Sequence, residues 1–379
     1  MAKELHELNE LEERVILVAV EMDERSSRSA MDTDACLDEL EELVKTAGGT
    51  AVARSVQKRE RIHPGHYLGT GKIEELKAML SAYDATGIVC DDELSPAQLR
   101  NLEQMLGTKV MDRTIVILDI FAARALSGEG KIQVELAQLK YRLSRLTGMG
   151  ASMSRLGGGI GTRGPGEKKL ETDRRYIKER IAELNKDAQE IRTHRELLRA
   201  QRSKKGTPVI SLVGYTNAGK STILNRLSDA GVLAEDKLFA TLDTTTRKIE
   251  LPGGSEVFLT DTVGFIQKLP HHLVQAFRAT LEELQYADIL LHVVDASDAN
   301  RAEHIEVVYD TLRSLGCEDT PVITVFNKMD REVELPLPMD TMARDIVQVS
   351  AQNGDGNNMM LPWTNEEIGH AGIANTNTD

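Results

Sequence analysis

Cysteine is scarce in this 379-residue chain: Cys36, Cys90 and Cys317 are odd in number and far apart. They give no disulfide framework and no metal spacing, and they fit a reducing, cytoplasmic compartment. Apolar runs are short, and none approaches the ~18–20 residues of a membrane-spanning helix. The N-terminal MAKELHELNELEER lacks the apolar core of a secretory signal. The histidines, His63, His66, His271 and His272 among them, fall at no ligand spacing, and the single Trp363 carries no argument. Hydrophobic residues at 41% and charged residues at 28% exclude a disordered or collagen-like chain. What remains is a soluble globular protein, long enough for about two to three domains.

The net charge of −14 argues against a nucleic-acid binder when read as an average. Its distribution argues otherwise. Residues 140–205 carry 18 Lys and Arg against 8 Asp and Glu, so the rest of the chain holds the acid. A basic middle on an acidic chain is a candidate footprint for a polyphosphate partner; the competing reading is a solvated helical surface with i,i+4 ion pairs.

The fold class is α/β. Residues 1–113 read as a small α/β domain, with apolar strands at 15–20, 50–56, 87–90 and 109–111. Helical spacing falls at 37–45 and 73–80, and a third helix is capped by Ser95 with Pro96 at its first position. Residues 114–205 read as a long antiparallel helical hairpin, interrupted at Ser127-Gly-Glu-Gly130. At its tip lies a glycine-rich loop, 147–169, carrying Arg155, Arg163, Lys168 and Lys169. The GxGxxG in that loop follows no strand and is no dinucleotide site; the Gly69-Thr-Gly-Lys72 run reads as a turn before a helix. Residues 206–356 return to apolar strands separated by helices, the pattern of a mostly parallel sheet. Residues 357–379 form an atypical tail: Pro362 and Gly369 interrupt it, no helical stripe survives, and the last eight residues read as disordered.

Gly214-Tyr-Thr-Asn-Ala-Gly-Lys-Ser221 matches GxxxxGK[ST], with an apolar strand before it and a helix after it. Gly214 and Gly219 let backbone amides wrap phosphates, and the helix N-terminus adds partial positive charge. Asn217, Ala218 and Thr222 complete the loop. Lys220 places a point charge on the β and γ phosphates, and the Ser221 hydroxyl ligates magnesium. Asp261-Thr-Val-Gly264 follows the next strand, where Asp261 holds the metal and the Gly264 amide senses the γ-phosphate. Asn327-Lys-Met-Asp330 follows another: Asp330 accepts from guanine N1 and the 2-amino group, which adenine cannot match. Lys328 covers the ring, and Asn327 ties this loop to the phosphate loop. Ser350-Ala351-Gln352 presents a backbone amide to guanine O6. In this order, at the carboxyl ends of parallel strands, these segments specify a GTP-binding domain. Between the first two lies Phe239–Arg247, the expected first switch, in which Thr246 is favoured over Thr245 as magnesium ligand and γ-phosphate contact. Lys220, Thr246 and Gly264 are thus the candidate catalytic groups. Phe265 stands where Ras-like GTPases carry the water-orienting glutamine, so the chain alone is expected to hydrolyse GTP slowly.

At Gly157–Arg175, Tyr67–Lys72 and Phe239–Arg247 the sequence resembles the HflX family of GTPases, over roughly residues 14–356. The resemblance implies an N-terminal domain, a helical linker and a GTPase domain acting on GTP and GDP. It implies association with the large ribosomal subunit near the peptidyl transferase centre, and splitting or rescue of stalled or idle ribosomes. The glycine-rich loop would reach ribosomal RNA, in keeping with its charge. It also implies stimulation of hydrolysis by ribosomes, and an ion-ligand role for Asn217, hence a potassium requirement. A monomer is expected. Two other readings stay open: a guanine-nucleotide switch with little turnover, and an RNA-remodelling or ribosome-assembly factor regulated by nucleotide. A domain of this kind is expected to end in an amphipathic helix, which the tail after Gly356 does not provide.

Overall fold

A computed structural model describes residues 13–22, 32–146, 165–203, 206–228, 237–251, 254–269, 273, 281–333 and 336–356. The glycine-rich stretch with Arg155 and Arg163, the side chains of Lys168 and Lys169, His271, His272 and the tail 357–379 lie outside what it describes. The chain divides into two compact units: residues 1–120 with 144–152, and residues 121–143 with 153–379.

The first unit contains β1 (Arg14–Met22), α1 (Thr33–Thr46), β2 (Thr50–Arg59), α2 (Thr70–Ala82), β3 (Gly87–Cys90), α3 (Pro96–Leu106) and β4 (Lys109–Asp112). Its four strands run parallel in the order β2-β1-β3-β4. Strand β1 is buried on both faces from Val15 to Val20, as a central parallel strand requires. Ile16, Val18, Leu76, Ile88, Leu102 and Val110 share one core. Helix α3 starts at a reciprocal capping box: Ser95 Oγ accepts from Gln98 N–H, and the Gln98 side chain accepts from Ser95 N–H. It stops at Gly107, in the left-handed region at φ +68°.

Helix α4 (Arg113–Arg124) is followed by α5 (Gly128–Leu146) and by α6 (Pro165–Ser203), 39 residues long. The break between α4 and α5 spans residues 125–127, so of the expected interruption at 127–130 the last three residues open α5. Arg180 of α6 grips Glu135 of α5 through two nitrogens at 2.7 and 3.1 Å, and Arg195 pairs with Glu129. Partner order therefore reverses between α5 and α6, as in an antiparallel pair.

The second unit carries β5 (Val209–Gly214), α7 (Lys220–Ser228), β6 (Thr245–Glu250), β7 (Glu256–Asp261), a 3₁₀ turn (Glu282–Tyr286), β8 (Ile289–Asp295), α8 (Arg301–Ser314), β9 (Val322–Asn327) and β10 (Asp345–Gln348). The sheet order is β10-β9-β8-β5-β7-β6, parallel except for β6. Alternation along the strands feeds two cores. Leu212, Ile223, Leu259, Leu291 and Val325 pack on one face, and Val213, Leu290, Val308, Leu312 and Phe326 on the other. The antiparallel edge β6 is the element that sequence reading left inside the first switch.

Candidate functional site

The segments that leave the carboxyl ends of β5, β7, β9 and β10 converge on a cavity of about 420 Å³. Asn217, Gly219, Lys220, Ser221, Thr222, Gly264, Asn327, Lys328, Asp330, Ala351 and Gln352 line it. Gly214, Ala218, Asp261 and Ser350 stand behind that wall and shape it.

The phosphate end is built by backbone that only glycine admits. Gly214 has φ +146°, and a Cβ there would run into the Val293 carbonyl. Gly219 has φ +97°, and the Asn327 amide nitrogen occupies the space a Cβ would need. Lys220 opens α7 fully buried, its Nζ donating to the carbonyls of Gly214 (3.1 Å) and Tyr215 (2.9 Å). Burial pulls its pKa down to about 8, against the opposing pull of Asp261. The Gly264 site is as tight: a Cβ would come within 2.7 Å of Thr216 Cα and 3.1 Å of Lys220 Nζ.

Ser221 Oγ donates to Asp261 Oδ2 at 2.6 Å and lies 2.6 Å from Thr241 Oγ1. Asp261 is fully buried; burial raises its pKa, and Lys220 and the Ser221 hydroxyl lower it. Its other oxygen, Oδ1, is buried without a hydrogen-bond partner among the described residues. Two hydroxyls and a carboxylate with an orphaned oxygen form a hard-oxygen donor set suited to a small divalent cation. The threonine hydroxyl beside Ser221 is that of Thr241, whereas Thr246, the expected switch threonine, stands elsewhere. Thr246 lies in β6 opposite Thr260, and its Oγ1 is 3.0 Å from Thr260 Oγ1, outside the cavity wall. Strand pairing takes up Thr245 and Thr246, and Thr241, ahead of the strand, lines the cavity. Thr245 opens the same strand.

At the base end, Asn327 ties three segments together. Its Nδ2 donates to Ala218 O at 2.9 Å, and its Oδ1 accepts from Ala351 N–H at 3.0 Å. Asp330 Oδ1 accepts from Ser350 Oγ at 2.5 Å, which holds the carboxyl below its usual pKa. Lys328, at φ +62°, pairs with Asp295 at 2.7 Å. Asn217, at φ +61°, lines the cavity from the phosphate loop. Phe265 is buried at 1% exposure, and its backbone bridges to the phosphate loop through Gly214 and Thr216.

Sequence reading missed Thr216, Lys237, Phe239, Ala240, Thr241, Thr262 and Arg331 in the wall. Three of these, Phe239, Ala240 and Thr241, fall in the expected first switch.

Residues 34–122 match the family described as GTP-binding GTPase N-terminal, 124–202 the GTP-binding GTPase Middle Region, and 209–328 the 50S ribosome-binding GTPase. The chain is 62% identical to a GTPase HflX of Lacrimispora saccharolytica, over 93% of this chain and 82% of that protein. It is 46% identical to the GTPase HflX of Escherichia coli, over 84% of this chain and 76% of that protein. Among solved structures, a GTP-binding protein from Sulfolobus solfataricus in complex with GDP is similar at 22% identity. That match covers 94% of this chain and 99% of that one, with a TM-score of 0.46.

Proposed function

The chain belongs to the HflX family of GTPases, and from that premise we propose that it binds GTP, hydrolyses it to GDP and phosphate, and couples the cycle to the large ribosomal subunit. The observation that carries the nucleotide reading is the Asn327 knot, which ties the phosphate loop at Ala218 to Ala351, next to the Ser350 that holds the Asp330 carboxylate, around one cavity. Asp330 accepts from guanine N1–H and the 2-amino group, with Ser350 fixing its orientation. Lys220 exchanges its carbonyl partners for the β and γ phosphates, and the Gly264 amide meets the γ-phosphate. Ser221, Thr241 and Asp261 would hold magnesium. When bound, magnesium supplies charge that stabilises the phosphoryl group in transit.

Phe265 bears on rate. A buried phenyl ring offers no group to orient water, so hydrolysis by the free chain is slow and the ribosomal partner completes the site. Segments 1–113, 114–205 and 206–356 serve as an N-terminal domain, a helical linker and the GTPase domain, a division supported by the three matched regions. Arg155, Arg163, Lys168 and Lys169 supply cations to ribosomal RNA. Splitting or rescue of stalled or idle ribosomes is the outcome this reading assigns, in a cytoplasmic setting. Asn217 is the residue through which potassium would act; equal rates in sodium and potassium would remove that part.

Co-sedimentation with large ribosomal subunits tests the reading. Retention with a non-hydrolysable GTP analogue and release with GDP is expected. A folded protein that sediments with subunits in no nucleotide state would overturn the ribosomal part and leave a guanine-nucleotide switch.

A further inference from the structure

The segment between the phosphate loop and β6 is held at three places, and one of them lies away from the nucleotide. Phe239 N–H donates to Thr216 Oγ1 at 2.8 Å, and its buried ring stands edge-on to Phe121 of α4, with centroids 4.7 Å apart. Thr241 meets Ser221. Asp243 turns to the start of α5 instead. Its Oδ2 accepts from the N–H groups of Leu126 (2.9 Å) and Ser127 (2.8 Å), and its Oδ1 from the Ser127 hydroxyl. Ser127 in turn caps the helix, its Oγ accepting from Gly130 N–H at 2.8 Å. A carboxylate at the N-terminus of a 19-residue helix also meets the positive end of the helix dipole.

Gly130 shows that the sequence makes room for this contact. Alanine is the better helix former there. Yet a Cβ would collide with Asp243 Oδ1 and come within 3.2 Å of Asp243 Cγ and of Ser127 Oγ. The same helical turn reaches α6, because Glu129 pairs with Arg195.

We propose that Asp243 is a positioning residue for GTP hydrolysis: it anchors the first switch on the N-terminus of α5, so that Thr241 stands against Ser221 and Asp261. Displacement of the α5–α6 pair therefore alters how readily the site takes magnesium. This rests on the GTPase reading above and adds a route by which the helical linker regulates that same site.

The test uses the full chain and measures dissociation of fluorescent GDP and of a fluorescent non-hydrolysable GTP analogue as magnesium is titrated. Amide hydrogen exchange at Leu126 and Ser127 is followed in parallel. In Asp243→Ala and in Gly130→Ala, the magnesium needed for half-maximal slowing of analogue release rises by about tenfold, the scale of one lost charge-assisted contact. GDP release without magnesium stays at the parent rate, and protection of the two amides falls. Asp243→Asn keeps an oxygen for both N–H groups and recovers most of the magnesium response. Gly130→Ala raises helix propensity, so its defect cannot come from a weaker helix. Parent-like magnesium dependence in both alanine variants would overturn the proposal. A parent chain that binds no guanine nucleotide would overturn the GTPase reading first, and this inference with it.

Discussion

Both parallel sheets end their strands in buried aspartates, yet the two carboxyl edges are finished in opposite ways. In the first unit, Asp91 after β3 pairs at 2.7 Å with Arg113, which also pairs with Glu39, and all are nearly inaccessible. Asp112 at the end of β4 is fully buried and meets Arg145 at 2.6 Å while accepting from Leu94 N–H and Ile115 N–H. In the second unit, Asp261 and Lys220 are as deeply buried, but each rests on neutral partners: hydroxyls for the carboxylate, carbonyls for the ammonium. Charges that neutralise one another close an edge. Charges left on neutral partners at the same depth do not close an edge, and burial then lowers the Lys220 pKa and raises that of Asp261. Topology alone therefore does not tell which strand ends bind.

Arg113→Met should break the closed edge with the largest effect. It leaves Asp91 buried without that cation, and breaking such a pair typically costs about 3–5 kcal/mol. Denaturant unfolding of the full chain should show the loss, with GDP affinity unchanged. A variant as stable as the parent would mean that the first edge is not closed by charge. Lys220→Ala should do the reverse. GDP and GTP affinity fall on the order of a hundredfold, as for a lost charged hydrogen-bond donor at ~2–3 kcal/mol. Fold stability holds, because removing a desolvated ammonium that bonds only carbonyls relieves a penalty. Asp330→Asn sharpens the base end. Guanine affinity should drop by about thirtyfold, ~2 kcal/mol for charge-assisted bonds replaced by a mismatched amide, and xanthine nucleotides should gain. Competition binding with GDP and XDP measures this, and unchanged selectivity would refute the role of Asp330.

The open edge was legible in the sequence because its backbone requirements are severe. Gly214, Gly219 and Gly264 occupy places where a Cβ meets backbone or side-chain atoms, so the residue type itself reports the geometry. Asn327 and Asp330 were legible as a pair because their run follows an apolar strand, and both line the cavity. The first switch was not, since threonine suits a strand edge and a metal site equally: Thr246 went to β6 and Thr241 to the cavity. The closed edge was invisible. Asp91, Asp112, Arg113 and Arg145 are far apart in sequence, and nothing local says that they neutralise one another. The strands of both sheets were read nearly to their ends, whereas the antiparallel β6 was hidden by the weak alternation of Thr-Thr-Arg-Lys-Ile-Glu.

The smallest effect separates the two edges by pH. Burial brings the Lys220 pKa down to about 8, whereas that of an unfolded lysine is about 10.4. Between those values the unfolded chain binds more protons, so this group makes the fold no less stable as pH rises through that window. Nucleotide binding behaves oppositely. Phosphates favour the charged ammonium, so above pH 8 each binding event must take up a proton, and affinity falls by at most about tenfold per pH unit. Magnesium-free GDP affinity measured from pH 7 to 9 should be flat and then decline. Lys220→Arg should bind without the decline, since a guanidinium stays charged throughout. A parent curve that is flat to pH 9 would mean that Lys220 stays charged through that range, and that its carbonyl partners compensate its burial far better than neutral dipoles should.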